Sequence, residues 1–174
     1  MDDNYKKNNE AGKRMLYILS IALVLMVLIF LFYSYNPESN MLANIAKITS
    51  KTPSFISYKN TILSKILDIY TKTSPVFALL FFLSSYKILT VKKNKTKTEI
   101  VIALVLYLML YVTIFYVFLF CNHDMAMSGR LLRFMSANNY SLLVFFISLF
   151  SSVYILSSML LWFLVGAYKV LKER

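Results

Sequence analysis

Apolar residues in this chain are gathered into long charge-free runs at residues 15–33, 100–120 and 134–168, separated by stretches in which Lys and Arg concentrate. The first two match the ~20 residues that a helix needs to cross a bilayer. Water-soluble core helices have no reason to be so long and so dry, and 174 residues are too few to wrap several of them inside a soluble core. The pattern predicts a first span at 15–33, closed by Tyr33 and Tyr35 at the headgroup boundary and stopped by Pro37. It predicts a third span at 100–120 and a fourth at 141–167.

The second span is less obvious, because the uninterrupted run 74–86 has thirteen residues. It reaches span length at 73–91 if Lys87 is included, its amine snorkelling to the interface rather than costing the ~2.5–3.5 kcal/mol of a mid-helix lysine. Between the first and second spans, residues 34–72 contain two amphipathic pieces, at 41–48 and 61–72. In the latter, Ile62, Leu63, Ile66, Leu67, Ile69 and Tyr70 share one side of a helical wheel and Lys65, Asp68 and Lys72 the other, the pattern of a helix lying on the membrane surface. A basic turn at 92–99 with Lys92, Lys93, Lys95 and Lys97, a polar connection at 121–140, and tails at 1–14 and 168–174 complete one membrane domain. The fold class expected is therefore all-α: a polytopic membrane protein with four transmembrane helices and amphipathic helical segments in the loop between the first two.

Charge sets the orientation. With four spans the two tails and the central turn share a side, and that side carries twelve Lys and Arg, counting Lys87 with the turn, against seven in the other two loops. The positive-inside rule then puts both termini in the cytoplasm. A three-span alternative, with the second run lying in the interface, would separate two basic termini. The first run follows Lys6, Lys7, Lys13 and Arg14 as a signal peptide would, but its apolar region is too long and Phe32-Tyr33-Ser34-Tyr35 is too bulky for cleavage, so it should remain as an anchor. No lipidation motif is visible at either end.

Composition agrees: 59% of residues are hydrophobic and 16% charged, against roughly 45–50% apolar in soluble domains. The net charge of +11 would suggest nucleic acid in a soluble protein; here it is a topology signal. With one cysteine, Cys121, no intramolecular disulfide is possible.

Candidate chemistry is sparse. No Asp, Glu or His falls inside a predicted span, which removes most reaction classes and argues against an enzyme. Cys121-Asn122-His123-Asp124 places a thiol, an imidazole and a carboxylate together, but no second His or Cys completes a metal site, so a solvated loop is expected and no cofactor. Carriers and channels show intramembrane charges or Gly/Pro-broken helices, whereas only Pro75 and Gly166 lie near a span here, each at its end. No small-molecule substrate or nucleic-acid partner is expected.

What the spans offer is faces for helix packing. Ser141, Ser148, Ser151, Ser152 and Ser158 share a face of the fourth span, with Ser157 alone opposite; Ser74, Ala78 and Ser85 recur at helical spacing in the second; Tyr107, Tyr111, Ile114 and Phe118 share a face of the third. Small and hydroxylated residues let helices approach closely in lipid, each interhelical hydrogen bond contributing roughly 0.6–2 kcal/mol. Such faces pack the protein's own helices together, or one of them receives a helix from another protein.

Several segments resemble the membrane immunity proteins that protect bacteria against pore-forming colicins of the colicin A and colicin B type. The resemblance spans nearly the whole chain and is most specific at Asp68-Ile69-Tyr70-Thr71-Lys72-Thr73-Ser74-Pro75, running on to Tyr86-Lys87. It recurs at Pro53-Ser54, at Ser128-Gly129-Arg130-Leu131-Leu132-Arg133-Phe134-Met135 and in Lys169-Val170-Leu171-Lys172. The chain departs from it at Ser74, where relatives tend to have Ala, and at Ala126-Met127, in place of a Thr-Thr pair; both fall where specificity for the toxin could be varied. The resemblance implies an inner-membrane protein with four spans, cytoplasmic termini and a first loop that is periplasmic, whose partners are the lipid bilayer and the pore-forming domain of one cognate colicin, and which prevents pore opening. Richness in Lys, Asn, Ile, Phe and Tyr fits an A/T-rich plasmid gene. Candidate toxin contacts are then Lys72, Thr73, Gly129 and Arg130 at the outer surface, with Ser74, Ala78 and Ser85 or Ser148, Ser151, Ser152 and Ser158 within the bilayer.

Overall fold

The computed structural model describes residues 3–89 and 97–172, so most of the basic turn expected at 92–99 lies outside the described residues. The helices are α1 (Asp3–Tyr35), α2 (Asn40–Ile48), α3 (Thr61–Thr71), α4 (Ser74–Ser85), α5 (Lys97–Phe120), α6 (Arg130–Met135) and α7 (Asn139–Lys172). Four stretches are long and apolar enough to cross a membrane: Tyr5–Tyr35, Thr61–Ser85, Thr98–Phe120 and Asn139–Lys169. The all-α, four-span architecture holds. One addition to it is a pair of two-residue strands, β1 (Phe55–Ile56) and β2 (His123–Asp124), which run parallel with Phe55 opposite His123 and Ile56 opposite Asp124.

That small pairing carries topological weight. It joins the loop between the first and second spans to the loop between the third and fourth, which places both at one face of the membrane. A three-span arrangement, with the second run in the interface, would put them on opposite faces.

The second span gains its length in an unexpected direction. Helix α4 has 12 residues and ends at Ser85, with Lys87 in the turn that follows; at 1.5 Å per residue it measures only about 18 Å. Apolar length is recovered on the N-terminal side, where α3 leads into α4 through a break at Lys72–Thr73. Pro75 explains the break: it has no N–H to donate to the carbonyl of Thr71 four residues before it. The α3 segment also does not lie on the surface with its polar side in water, as the amphipathic pattern suggested. Leu63 to Asp68 are all buried, Lys65 and Asp68 included, because residues 52–57 cover the polar side.

The chain divides into two compact units. The first comprises Met1–Ile21, Pro75–Phe115 and Val153–Arg174. Here two cations close the C-terminal end of α4 and the turn after it: Arg14 donates to the carbonyl of Ser84 at 2.5 Å, and Lys169 to those of Tyr86 and Leu89 in the turn at 3.1 and 2.9 Å. Helix C-termini leave carbonyls unsatisfied and carry partial negative charge, so cations are favoured there. Arg14 opens the first apolar run and Lys169 closes the last, so both ends of the chain come to the same end of this unit. Tyrosine hydroxyls tie the helices laterally. Tyr154 donates to the carbonyl of Met15 at 2.9 Å, Tyr107 to that of Leu156 at 2.9 Å, and the Tyr111 hydroxyl lies 3.1 Å from that of Ser157.

The second unit comprises Ala22–Ser74 and Tyr116–Ser152. Met26, Phe30, Leu63, Leu67, Leu142, Phe146 and Phe150 fill its interior. The Tyr70 ring stacks on Phe150 at 5.5 Å between centroids while its hydroxyl donates to the carbonyl of Ala22 at 2.7 Å.

Candidate functional site

Within the second unit the two loops form one body, and its centre is Ser54. The Ser54 N–H donates to Oδ1 of Asn122 at 3.1 Å, its carbonyl accepts from the N–H of His123 at 3.1 Å, and its hydroxyl accepts from Nζ of Lys65 at 2.9 Å. The strand pairing continues with the N–H of Met125 donating to the carbonyl of Ile56 at 3.0 Å. Behind the pair, the Phe55 ring stacks on the His123 imidazole at 4.5 Å and meets Phe118 and Phe145 at 6.4 and 5.7 Å. Further along, Ser57 donates through its hydroxyl to the carbonyl of Ser136 at 3.0 Å, and Asn60 bonds Asn139. Apart from the Lys65 bond, each of these links joins residues of the first loop to residues of the second or of the helices flanking it.

Helix α3 supplies the polar support. Lys65 also donates to the carbonyl of Thr52 at 2.5 Å, Asp68 accepts from the N–H of Phe55 at 3.2 Å, and Ser64 accepts from the N–H of Ser57 at 3.1 Å. Lys72 forms an ion pair with Asp68 at 2.8 Å, donates to the carbonyl of Pro53, and sits 5.8 Å above the Phe118 ring. Extended backbone at 52–57 has no helix to satisfy its amides, so the side chains of one helix face do so.

The outer surface of this body is open. Ile48, Tyr58, Met127, Leu131 and Phe134 are exposed, as are Arg130 and Arg133. Sequence reasoning placed Gly129 and Arg130 at such a surface, and they are exposed there, Gly129 preceding α6. Lys72 and Thr73 are half-buried, and the Thr73 hydroxyl donates to the carbonyl of Tyr70 at 2.6 Å. Lys72 is occupied inside the body rather than offered to a partner.

The intramembrane candidates separate into two groups. Ser74, Ala78, Ser85 and Ser158 are buried, within 1% exposure each; these positions pack the protein's own helices. Ser148 and Ser152 are exposed and Ser151 partly so, each donating to the carbonyl four residues earlier at 2.8–2.9 Å. Such internally satisfied hydroxyls can face lipid with no donor left unpaired. Ser141 closes the start of α7 by donating to the carbonyls of Met135 and Asn138. Ser157, set apart from the stripe by the helical wheel, is the one that meets Tyr111.

Sequence reasoning missed the role of residues 52–57 and of Asn122 and His123. The Cys121–Asp124 stretch, expected as a solvated loop, contains β2 at His123–Asp124: Asn122 receives the Ser54 N–H and His123 stacks on Phe55. The Pro53-Ser54 match was the one signal that pointed there.

The two loops thus fuse into a single body, and among the described residues no group of three or more His, Cys, Asp or Glu is placed to hold a metal ion. The comparisons name the class. The model of the family described as colicin immunity protein matches residues 38–174, and the chain belongs to this family. It is 34% identical to the colicin-A immunity protein of Citrobacter freundii over 99% of this chain and 94% of that one. Identity to the colicin-B immunity protein of Escherichia coli is 27%, over 88% of this chain and 87% of the relative. No solved structure matches the chain.

Proposed function

We propose that this protein protects the cell that makes it by binding the pore-forming domain of one cognate colicin A-type toxin in the inner membrane and holding it closed. The observation that carries this reading is the loop body: a rigid, cross-braced surface with exposed apolar and arginine side chains, at the face where two loops emerge from the bilayer. Both termini are cytoplasmic, so that surface is periplasmic, the side from which a toxin arrives. The exposed hydroxyl-bearing face of α7, at Ser148 and Ser152, continues the contact into the bilayer, where small polar side chains admit another helix. Inhibition requires only that the closed arrangement of the toxin be bound more tightly than the open one; no bond is made or broken.

The test is survival. Cells expressing the chain are challenged with a panel of purified colicin A-type toxins while potassium efflux is followed. Protection against one toxin, with unchanged sensitivity to pore formers of the other subclass, is the expected result. No protection from a protein shown to be inserted in the inner membrane would refute the proposal. Reporter fusions at each end check the orientation, with both tails expected in the cytoplasm.

A further inference from the structure

The β1–β2 pair holds only two residues on each strand, with backbone bonds from His123 to Ser54 and from Met125 to Ile56. Two bonds do not specify a register, and slippage by one residue exchanges the faces of a strand. Here a slip would turn Phe55, stacked against His123, outward and draw Ile56, which is exposed, inward. Hydrogen bonds through the side chains of Asn122 and Ser57 tie the two loops together, and what remains to be fixed is which face of residues 52–57 is offered to the second loop.

We propose that Lys65 and Asp68 are positioning residues that set this register and thereby the toxin-facing surface, an inference resting on the proposed function above. They are 5% and 0% exposed, so neither presents a charge to a partner. Lys65 holds the carbonyl of Thr52 and the hydroxyl of Ser54; Asp68 holds the N–H of Phe55. Three points at Thr52, Ser54 and Phe55 are thus held by charged groups on one helix, and hydrogen bonds to an ionised group are stronger than neutral ones. Lys72 completes the arrangement by neutralising Asp68 at 2.8 Å and binding the carbonyl of Pro53. Burying the charges of Lys65 and Asp68, with Lys72 half-buried beside them, adds little to stability, since apolar packing of the same volume does as well; the best-attested gain from buried ionic groups is a unique register. The polar face of α3 therefore acts on recognition through the loop it holds.

The test uses the full-length protein in its membrane, with Cys121→Ser as background and Ile56→Cys with Asp124→Cys as a reporter of the register, these two being directly opposed. Lys65→Met keeps the methylene stem and removes the donors. The expected result is an unchanged amount of protein in the membrane, a lower yield of the 56–124 disulfide in toxin-free cells, and, without the reporter cysteines, loss of protection against the toxin that the unchanged chain resists. Retained protection overturns the proposal whatever the disulfide yield. Lost protection with an undiminished yield overturns it too, because the register is then intact. Should Lys65→Met fail to accumulate, Asp68→Asn, which still accepts from Phe55 but cannot neutralise Lys72, is judged by the same two readouts. If the unchanged chain protects against no colicin, the functional reading falls, while the disulfide yield still decides whether Lys65 sets the register.

Discussion

Helices α3 and α5 invert the rule by which soluble proteins are read. Helix α3 carries Lys65 and Asp68 and is buried through most of its length; α5 carries no charge after Glu99, and of its described side chains only Ile100 and Phe118 are buried. In water the apolar helix would be the core. In lipid the surroundings are as apolar as leucine, so hydrophobicity gives no reason to be inside, and burial goes to groups that need partners. Helix α3 has amides and carbonyls of residues 52–57 to satisfy; α5 meets the first unit through the hydroxyls of Tyr107 and Tyr111 and the second through the buried Phe118 ring. A lateral crevice of about 430 Å³ lined by Ala103, Tyr107, Met159, Trp162 and Phe163 runs beside it, as expected of a helix that is tethered rather than packed all round.

The contrast can be broken most forcefully at Asp68. Replacing it by Ala strands Lys72 among buried groups, and removal of one member of a buried ion pair costs about 3–5 kcal/mol. Loss of the protein from the membrane, or its rapid degradation, is the expected outcome on immunoblots; an undiminished level would mean that α3 is not held by its charges. Next comes Ala78, fully buried on α4, where Ala78→Leu overfills the helix contact at a cost of about 1–3 kcal/mol, seen as a lower unfolding temperature in detergent.

Smaller effects are expected of the α5 tether. Tyr107→Phe removes one hydrogen bond to the carbonyl of Leu156, worth about 1 kcal/mol, and should loosen α5 alone, detectable as faster proteolysis near it. Leu106→Ala with Met109→Ala, both on the exposed face, should alter stability by less than about 0.5 kcal/mol each. A large loss there would show that this face is covered. The smallest effect on folding belongs to Ser148→Leu with Ser152→Leu, since both are exposed and internally bonded. Protection should nevertheless be lost while the membrane level stays constant, and undisturbed protection would remove this face from the toxin contact.

Much of this was legible in advance because bilayers impose long-wavelength rules. Span count follows from runs of apolar residues such as 100–120, and the nearness of the chain ends from basic residues such as Arg14 and Lys169, which the structure brings to one helix end. The amphipathic pattern of 61–72 was visible too, but a helical wheel shows that Lys65 and Asp68 share a side without saying what lies against it. The pairing of Phe55 with His123 left no trace, because two-residue strands have no periodicity and the partners stand far apart in the chain. Among the nominated intramembrane positions, spacing grouped Ser158 with Ser148 and Ser152, yet the first is buried and the others exposed.

The sequence by itself determined the solvent of this protein, the number of its crossings and the charge asymmetry of its two sides, since each depends on summed transfer energies over many residues. Only the tertiary structure decided which polar groups meet, that the two loops form one surface, and which serines face outward. Those outcomes rest on single contacts between distant segments, where a few ångströms separate a buried ion pair from a solvated charge and no average over the chain records the difference.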